Sequence, residues 1–193
     1  MHKATIKERE IVVNILCSAF DPIKIPNSIN YVVKQDKNRS MRLRVLMEYL
    51  FDNSLMFGEI FLSNNRRACI LLQYPHLKKT TLKTILLDLR LVIKCIGLSR
   101  VFKVLKRERT LNKHHIKKPH IHPILMGAYH KDNGKGFGVR LIFELFDCYK
   151  NKNLPIIVET TTPENLKLYN KFGFKIFKKV DDLNYPLYFL RKD

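Results

Sequence analysis

Apolar residues along this chain change their spacing several times, and each change marks the edge of an element. Ile11, Val12, Ile15, Leu16 and Ala19 recur at helical spacing behind Thr5-Ile-Lys-Glu8, whose offset is that of a capping box. Pro22 and Pro26 end that helix in a loop. A second helix over about 37–54 is expected to turn Met41, Val45, Leu46, Tyr49 and Leu50 inward. Segments 57–62 and 68–74 read as paired strands around Ser63-Asn64-Asn65-Arg66, with Pro75 breaking the sheet. From 80 to about 114 the period is helical again, and Gly97 divides it into two helices. In the first, Leu82, Ile85, Leu86, Leu89, Val92, Ile93 and Ile96 cover more than one narrow stripe. That predicts a helix well buried or packed on a partner, a second copy of the chain included. In the second, Val101, Phe102, Val104 and Leu105 form the expected buried side and the many basic residues the solvated one.

Downstream the order is strand (121–129), turn (Lys131-Asp132-Asn133-Gly134), glycine loop (Gly134-Lys135-Gly136-Phe137-Gly138) and helix (139–149). A short strand (155–159) and a helix (162–172) follow, the helix opened by Thr162 and Pro163 and closed by Gly173-Phe174. Segments 174–177 and 185–190 should be two antiparallel strands completing the sheet. Alternating glycines let backbone approach a ligand closely. The first amides of the following helix lack intrahelical partners and, with its dipole, favour a phosphate. A plain hairpin is the competing reading of 132–134, but it requires no glycine at 136 or 138. A P-loop and a dinucleotide fingerprint are both excluded: the first motif is absent, and Val139 stands where the second needs its third glycine.

The length of 193 residues and 46% hydrophobic content suit a single domain over 1–193. Cys17, Cys69, Cys95 and Cys148 are far apart and form no Cys-x-x-Cys, which argues against a disulfide framework. The first residues show no signal-peptide pattern, and the most apolar window, 82–98, holds Lys83, Asp88, Arg90 and Lys94. A cytoplasmic protein with no membrane span is expected. His120 and His122 share one strand face and could form a metal pair, but spacing suggests no third ligand, so no metal is expected. The net charge of +19 fits nucleic acid, an anionic membrane surface or a phosphorylated ligand equally well. The basic run from Arg100 to Lys118 is the one candidate nucleic-acid footprint.

Two stretches carry a family resemblance. Met126-Gly-Ala-Tyr-His-Lys-Asp-Asn133-Gly-Lys-Gly136-Phe-Gly138 resembles the acetyl-CoA signature of the GNAT superfamily of N-acetyltransferases, with Asn133 at its Gln/Arg position. Glu159-Thr-Thr-Thr162-Pro-Glu-Asn165-Leu-Lys-Leu-Tyr169-Asn-Lys-Phe-Gly173-Phe174 resembles the second motif. The resemblance implies an α/β (α+β) GNAT fold: a central mixed, mostly antiparallel sheet flanked by helices, here with an extra helical insertion before the donor strand. It implies acetyl-CoA as co-substrate and a primary amine of unassigned identity as acceptor, joined in a ternary complex. Met126, Gly127 and Ala128 would face the pantetheine arm. Asn133, Gly134, Lys135, Gly136, Phe137 and Gly138 would hold the pyrophosphate, and Asn165 would hydrogen-bond the arm. Tyr169 would protonate the departing thiolate. Glu159 is the first candidate base, with Glu59 and His130 as fallbacks. The alternatives are a basic nucleic-acid- or ribosome-associated module on the same fold, which is not favoured, and a silent coenzyme-binding protein.

Overall fold

The computed structural model describes residues 1–193. Behind strand β1 (His2–Lys3), the Glu8 carboxylate accepts from the Thr5 amide at 3.0 Å, closing the expected box and launching α1 (Arg9–Phe20). A short α2 (Ser28–Val32), capped by the Asn27 side chain, leads to α3 (Arg39–Phe57). There Leu43, Leu46, Met47 and Phe51 are buried, whereas Met41, expected inward, is exposed. Met41 sits two residues before Leu43, about 200° around the helix from the row that meets the core.

β2 (Gly58–Leu62) and β3 (Ala68–Gln73) form the expected hairpin, and β4 (His122–Ala128) joins β3 antiparallel, giving the order β1-β2-β3-β4. A second antiparallel sheet has the order β5-β7-β6, from β5 (Ile156–Thr160), β6 (Lys175–Val180) and β7 (Leu187–Lys192). A single parallel bridge joins the two sheets. The Ile121 amide donates to the Pro155 carbonyl at 3.0 Å, and the Ile157 amide donates to the Ile121 carbonyl at 2.9 Å. Beyond that bridge β4 and β5 run on side by side without a ladder, so the mixed sheet is split along its middle. The register also slips once in β4, where Leu71 faces Leu125 but Leu72 faces Pro123, leaving Ile124 as a bulge.

Helices cover both faces. α1 and α3 bury Val12, Leu16, Met47 and Phe51 against Ile60, Leu62, Cys69 and Leu71. On the other face α6 (Phe137–Tyr149) and α7 (Pro163–Lys171) pack on Ile70, Leu72, Val158 and Leu190. The insertion consists of α4 (Leu82–Leu91), a π turn (Val92–Ile96), a break at Gly97 with φ +81°, and α5 (Val101–His114). Leu111 of α5 rests on Val180, Leu183, Tyr185, Leu187 and Phe189 around the β6–β7 hairpin. On α5 an expectation fails, and for α4 only the first of the two expected alternatives falls, leaving packing on a partner open. α4 is not well buried: Leu82, Ile85, Leu86 and Leu89 all face solvent, and Thr84 is its one buried residue. On α5, Val104 points in but Phe102 is 85% exposed. α4 meets the rest of the chain along the narrow strip of Thr84, Leu87 and Leu91, held by Tyr49 donating to Asp88 at 2.7 Å and Arg90 pairing with Glu48 at 2.5 Å.

Candidate active site

The glycine loop is built by backbone conformation. His130–Asp132 form one 3-10 turn, Gly134 and Gly136 take φ of +80° and +76°, and α6 starts at Phe137. A side chain at either glycine would meet nothing within 4 Å, so these glycines serve backbone shape and an open approach, not packing. The turn uses the Asn133 amide on the His130 carbonyl and the Lys135 amide on the Asp132 carbonyl. The amides of Gly134, Gly136, Phe137, Gly138 and Val139 donate to no group of the chain. The 132–134 segment is therefore no hairpin but the lip of a helix amino terminus. Beneath it the buried Asp132 carboxylate takes Lys135 Nζ at 2.8 Å and Arg67 Nη1 at 3.3 Å, and the Lys135 hydrogen bond holds it below the usual carboxylate range. The Lys135 ammonium, expected to face a phosphate, is thus engaged with Asp132; Asn133 Nδ2 lies 3.2 Å from His130 Nδ1.

Gly127 has a packing role. A Cβ there would come within 3.1 Å of Ala19 Cβ and 3.3 Å of a Leu16 methyl, so its absence lets α1 lie directly on β4. Met126 and Ala128 turn to the opposite face, toward α6. The open edge of β4 borders the gap that begins at the Ile121–Ile156 bridge.

At the closed end of that gap, three side chains from three elements meet. Glu159 of β5 hydrogen-bonds His115 Nε2 from the end of α5, and His122 Nε2 of β4 lies 3.7 Å from the same carboxylate oxygen. Burial would raise the Glu159 pKa, but the His115 hydrogen bond, with the neighbouring imidazoles and the Arg107 guanidinium after it, outweighs burial and holds it below the usual value. Burial drives His122 down to about 4, so its imidazole is neutral at pH 7. His120, 2% exposed, stacks on His115 at 5.5 Å, and His115 Nδ1 and His120 Nε2 are buried without a partner. His115, His122 and Glu159 donor atoms lie within 4.8 Å of one another, a two-imidazole, one-carboxylate set that could also take a divalent cation. The expected pair is thus not the one that forms: His120 stays outside the set, and His122 is joined instead by His115 and Glu159, which folding brings together from 44 residues apart in sequence.

Tyr169 lies on α7, packed edge-on against Phe174 at 5.3 Å, and its hydroxyl makes no intramolecular hydrogen bond. Burial raises its pKa, which keeps the phenol protonated at neutral pH. Pro163 opens α7 and Gly173, at φ +83°, closes it, although the Thr162 side chain makes no cap hydrogen bond. Asn165 is exposed one turn before Tyr169.

No protein-family model matches this chain, and no curated protein sequence does. Solved structures match over nearly all of it. A histone acetyltransferase HPA2-related acetyltransferase from Corynebacterium glutamicum superposes with TM-score 0.70 at 18% identity, covering 99% of this chain and 93% of that one. Arylalkylamine N-acetyltransferase 2 from Aedes aegypti gives 0.62 at 13%, covering 99% and 96%. The chain has the GNAT acetyltransferase fold. The C-terminal condensation domain of Ebony, solved with beta-alanyl-dopamine, is also similar, at TM-score 0.67, 13% identity and coverage of 99% and 96%. Identities this low establish the GNAT fold and leave the chemistry to the site.

Within this GNAT fold the two fallback bases stand elsewhere. Glu59 is held by Lys3 at 2.8 Å, by Tyr74 at 2.7 Å and by Tyr149, which ties β2 to α6. His130 lines a cavity of about 410 Å³ with Cys17, Ser18, Asp21, Ser40 and Leu43, beside the glycine loop. A second cavity, about 260 Å³, lies between Asn27, Tyr31, Lys103, Asn184 and Tyr185. Behind it Arg107 donates to Ser28 Oγ and to Tyr185 Oη at 3.2 Å. His115, Arg67 and Arg107 escaped the sequence reading as site residues, because each sits among other basic residues and no local pattern marks it.

Proposed function

We propose that this protein transfers an acetyl group from acetyl-CoA to a primary amine by direct attack in a ternary complex. The observation that carries the reading is the set of free amides at Gly134 and from Gly136 to Val139, in the loop that follows β4 and opens α6. Those amides and the α6 dipole suit a diphosphate, and the open space above Gly134 and Gly136 leaves it room. Met126, Gly127, Ala128 and Asn165 would border the pantetheine arm, with Asn133, Lys135, Phe137 and Gly138 around the diphosphate. When bound, the coenzyme supplies the thioester whose carbonyl the amine attacks.

The chain's own groups manage the protons. Glu159, ionised at neutral pH, accepts the proton of the incoming ammonium and shares it with hydrogen-bonded His115. Tyr169, whose phenol stays protonated and unpartnered, gives its proton to the leaving thiolate, whose conjugate acid has a pKa of about 8.5. The nucleic-acid reading draws support from charge alone.

The test is thiol release from acetyl-CoA with a panel of primary amines. Amine-dependent release is expected, with Tyr169→Phe lowering kcat about 10- to 100-fold and leaving coenzyme affinity within about twofold. Equal loss of kcat and affinity would contradict the acid role, and release independent of any amine would contradict transfer.

A further inference from the structure

The helical insertion is mounted with its apolar side outward. Leu82, Leu86, Leu89 and Ile93 follow one another at spacings of four, three and four, with Ile85 next to Leu86, and in chain order the five are 82, 50, 66, 53 and 56% exposed. Together they offer the equivalent of about three fully exposed aliphatic side chains on one helix face, more than scattered surface leucines supply. Past Gly97 the pattern resumes with Leu98, Phe102 and Leu105, at 74, 85 and 43%. The side turned to the protein is a narrow strip of Thr84, Leu87 and Leu91, with Leu91 and Val92 on the main core, and the contacts of Asp88 with Tyr49 and of Arg90 with Glu48 fix it there. Rotating α4 to hide its leucines would strand those two contacts, so the outward face is specified by the sequence.

Charge decides what covers this face. Between 78 and 118 the chain has thirteen Lys and Arg against two acidic residues, Asp88 and Glu108, and both are engaged, Asp88 with Tyr49 and Glu108 with Arg107. Lys78, Lys79, Lys83, Lys94, Lys106 and Arg109 are exposed and have no ion-pair partner. A second copy would bring the same cations against them, within a chain already at +19. A nucleic acid would pair the cations but leave the leucines and Phe102 in water. Leucines and phenylalanine flanked by lysines are the composition of a helix that lies in a lipid interface, where each cation near an anionic surface adds about 1 kcal/mol.

We propose that α4 and α5 dock this protein on the surface of an anionic lipid bilayer, with the leucine row in the interface and the lysines over the headgroups. The docking is peripheral, as no helix is long and apolar enough to cross a membrane. It stands independently of the acetyltransferase reading.

Flotation of the full chain with vesicles tests it, using phosphatidylcholine alone and phosphatidylcholine with about a third phosphatidylglycerol. Binding to the anionic vesicles is expected, falling steeply as salt is raised through the range where the Debye length shrinks below ~10 Å. The triple variant Leu82→Glu/Leu86→Glu/Leu89→Glu should lose at least about fivefold in bound fraction with an unchanged melting profile, since all three side chains are already in water. Lys83→Gln/Lys94→Gln/Lys106→Gln should keep the fold and weaken both binding and its salt dependence. Absence of binding by the wild type would overturn the proposal, as would equal binding by the leucine variant. So would a dimer that the leucine changes dissociate in a chain that ignores vesicles, or RNA binding in such a chain.

Discussion

Glu59 illustrates how much one carboxylate does for this fold. Burial pushes its pKa up, but hydrogen bonds from Lys3, Tyr149 and Tyr74 outweigh burial and bring it to about 2. A folded-state pKa below the ordinary 4.5 means stability that is present above that value and lost as pH falls toward 2. Melting followed between pH 5 and 2 should therefore decline less steeply in Glu59→Gln than in the wild type; parallel curves would remove the role. Tyr149→Phe, which deletes the hydroxyl joining α6 to Glu59 and Tyr74, should cost about 1 kcal/mol in chemical denaturation. At the site, Glu159 works as a proton acceptor only if no cation fills its pocket. Turnover unchanged by a strong chelator is the expected result, and loss of turnover restored by zinc would assign the His115–His122–Glu159 set to a metal instead.

Elements differ in how openly the sequence declares them. The glycine loop and α7 were legible because their backbone needs residues of special conformation, at Gly134, Gly136, Pro163 and Gly173. Hydrophobic period gave α4 its helix but left open whether its apolar row is buried or meets a partner, since periodicity identifies an apolar face without saying what that face meets. The His115–His122–Glu159 group was invisible for another reason: its members sit just past α5, on β4 and on β5, and meet only after the two sheets join at Ile121. The split sheet and the Ile124 bulge likewise depend on strand register, which no single stretch encodes. The seat of α1 on β4 gives a test at this scale. Gly127→Leu would drive a side chain into Ala19 and Leu16, and a loss of about 1–3 kcal/mol is expected in denaturant unfolding. An unchanged midpoint would mean that α1 lifts from β4 freely.

Taken whole, the molecule is a sheet opened along one seam, with a helix amino terminus at the wide end and titratable groups at the narrow end. Its charge of +19 suits a phosphorylated donor at the seam and leaves ample excess for the insertion. Everything proposed for the chemistry requires that the free amides hold a diphosphate. Calorimetric titration of acetyl-CoA into the wild type and into Gly136→Val measures that directly. Expected is one-to-one binding by the wild type, weakened at least about tenfold in the variant when both are titrated well below the variant's melting midpoint, which itself falls because a β-branched residue at φ +76° is strained even where it meets nothing. No heat with the wild type, or equal affinity in the two proteins, would mean that the loop is not a coenzyme cradle.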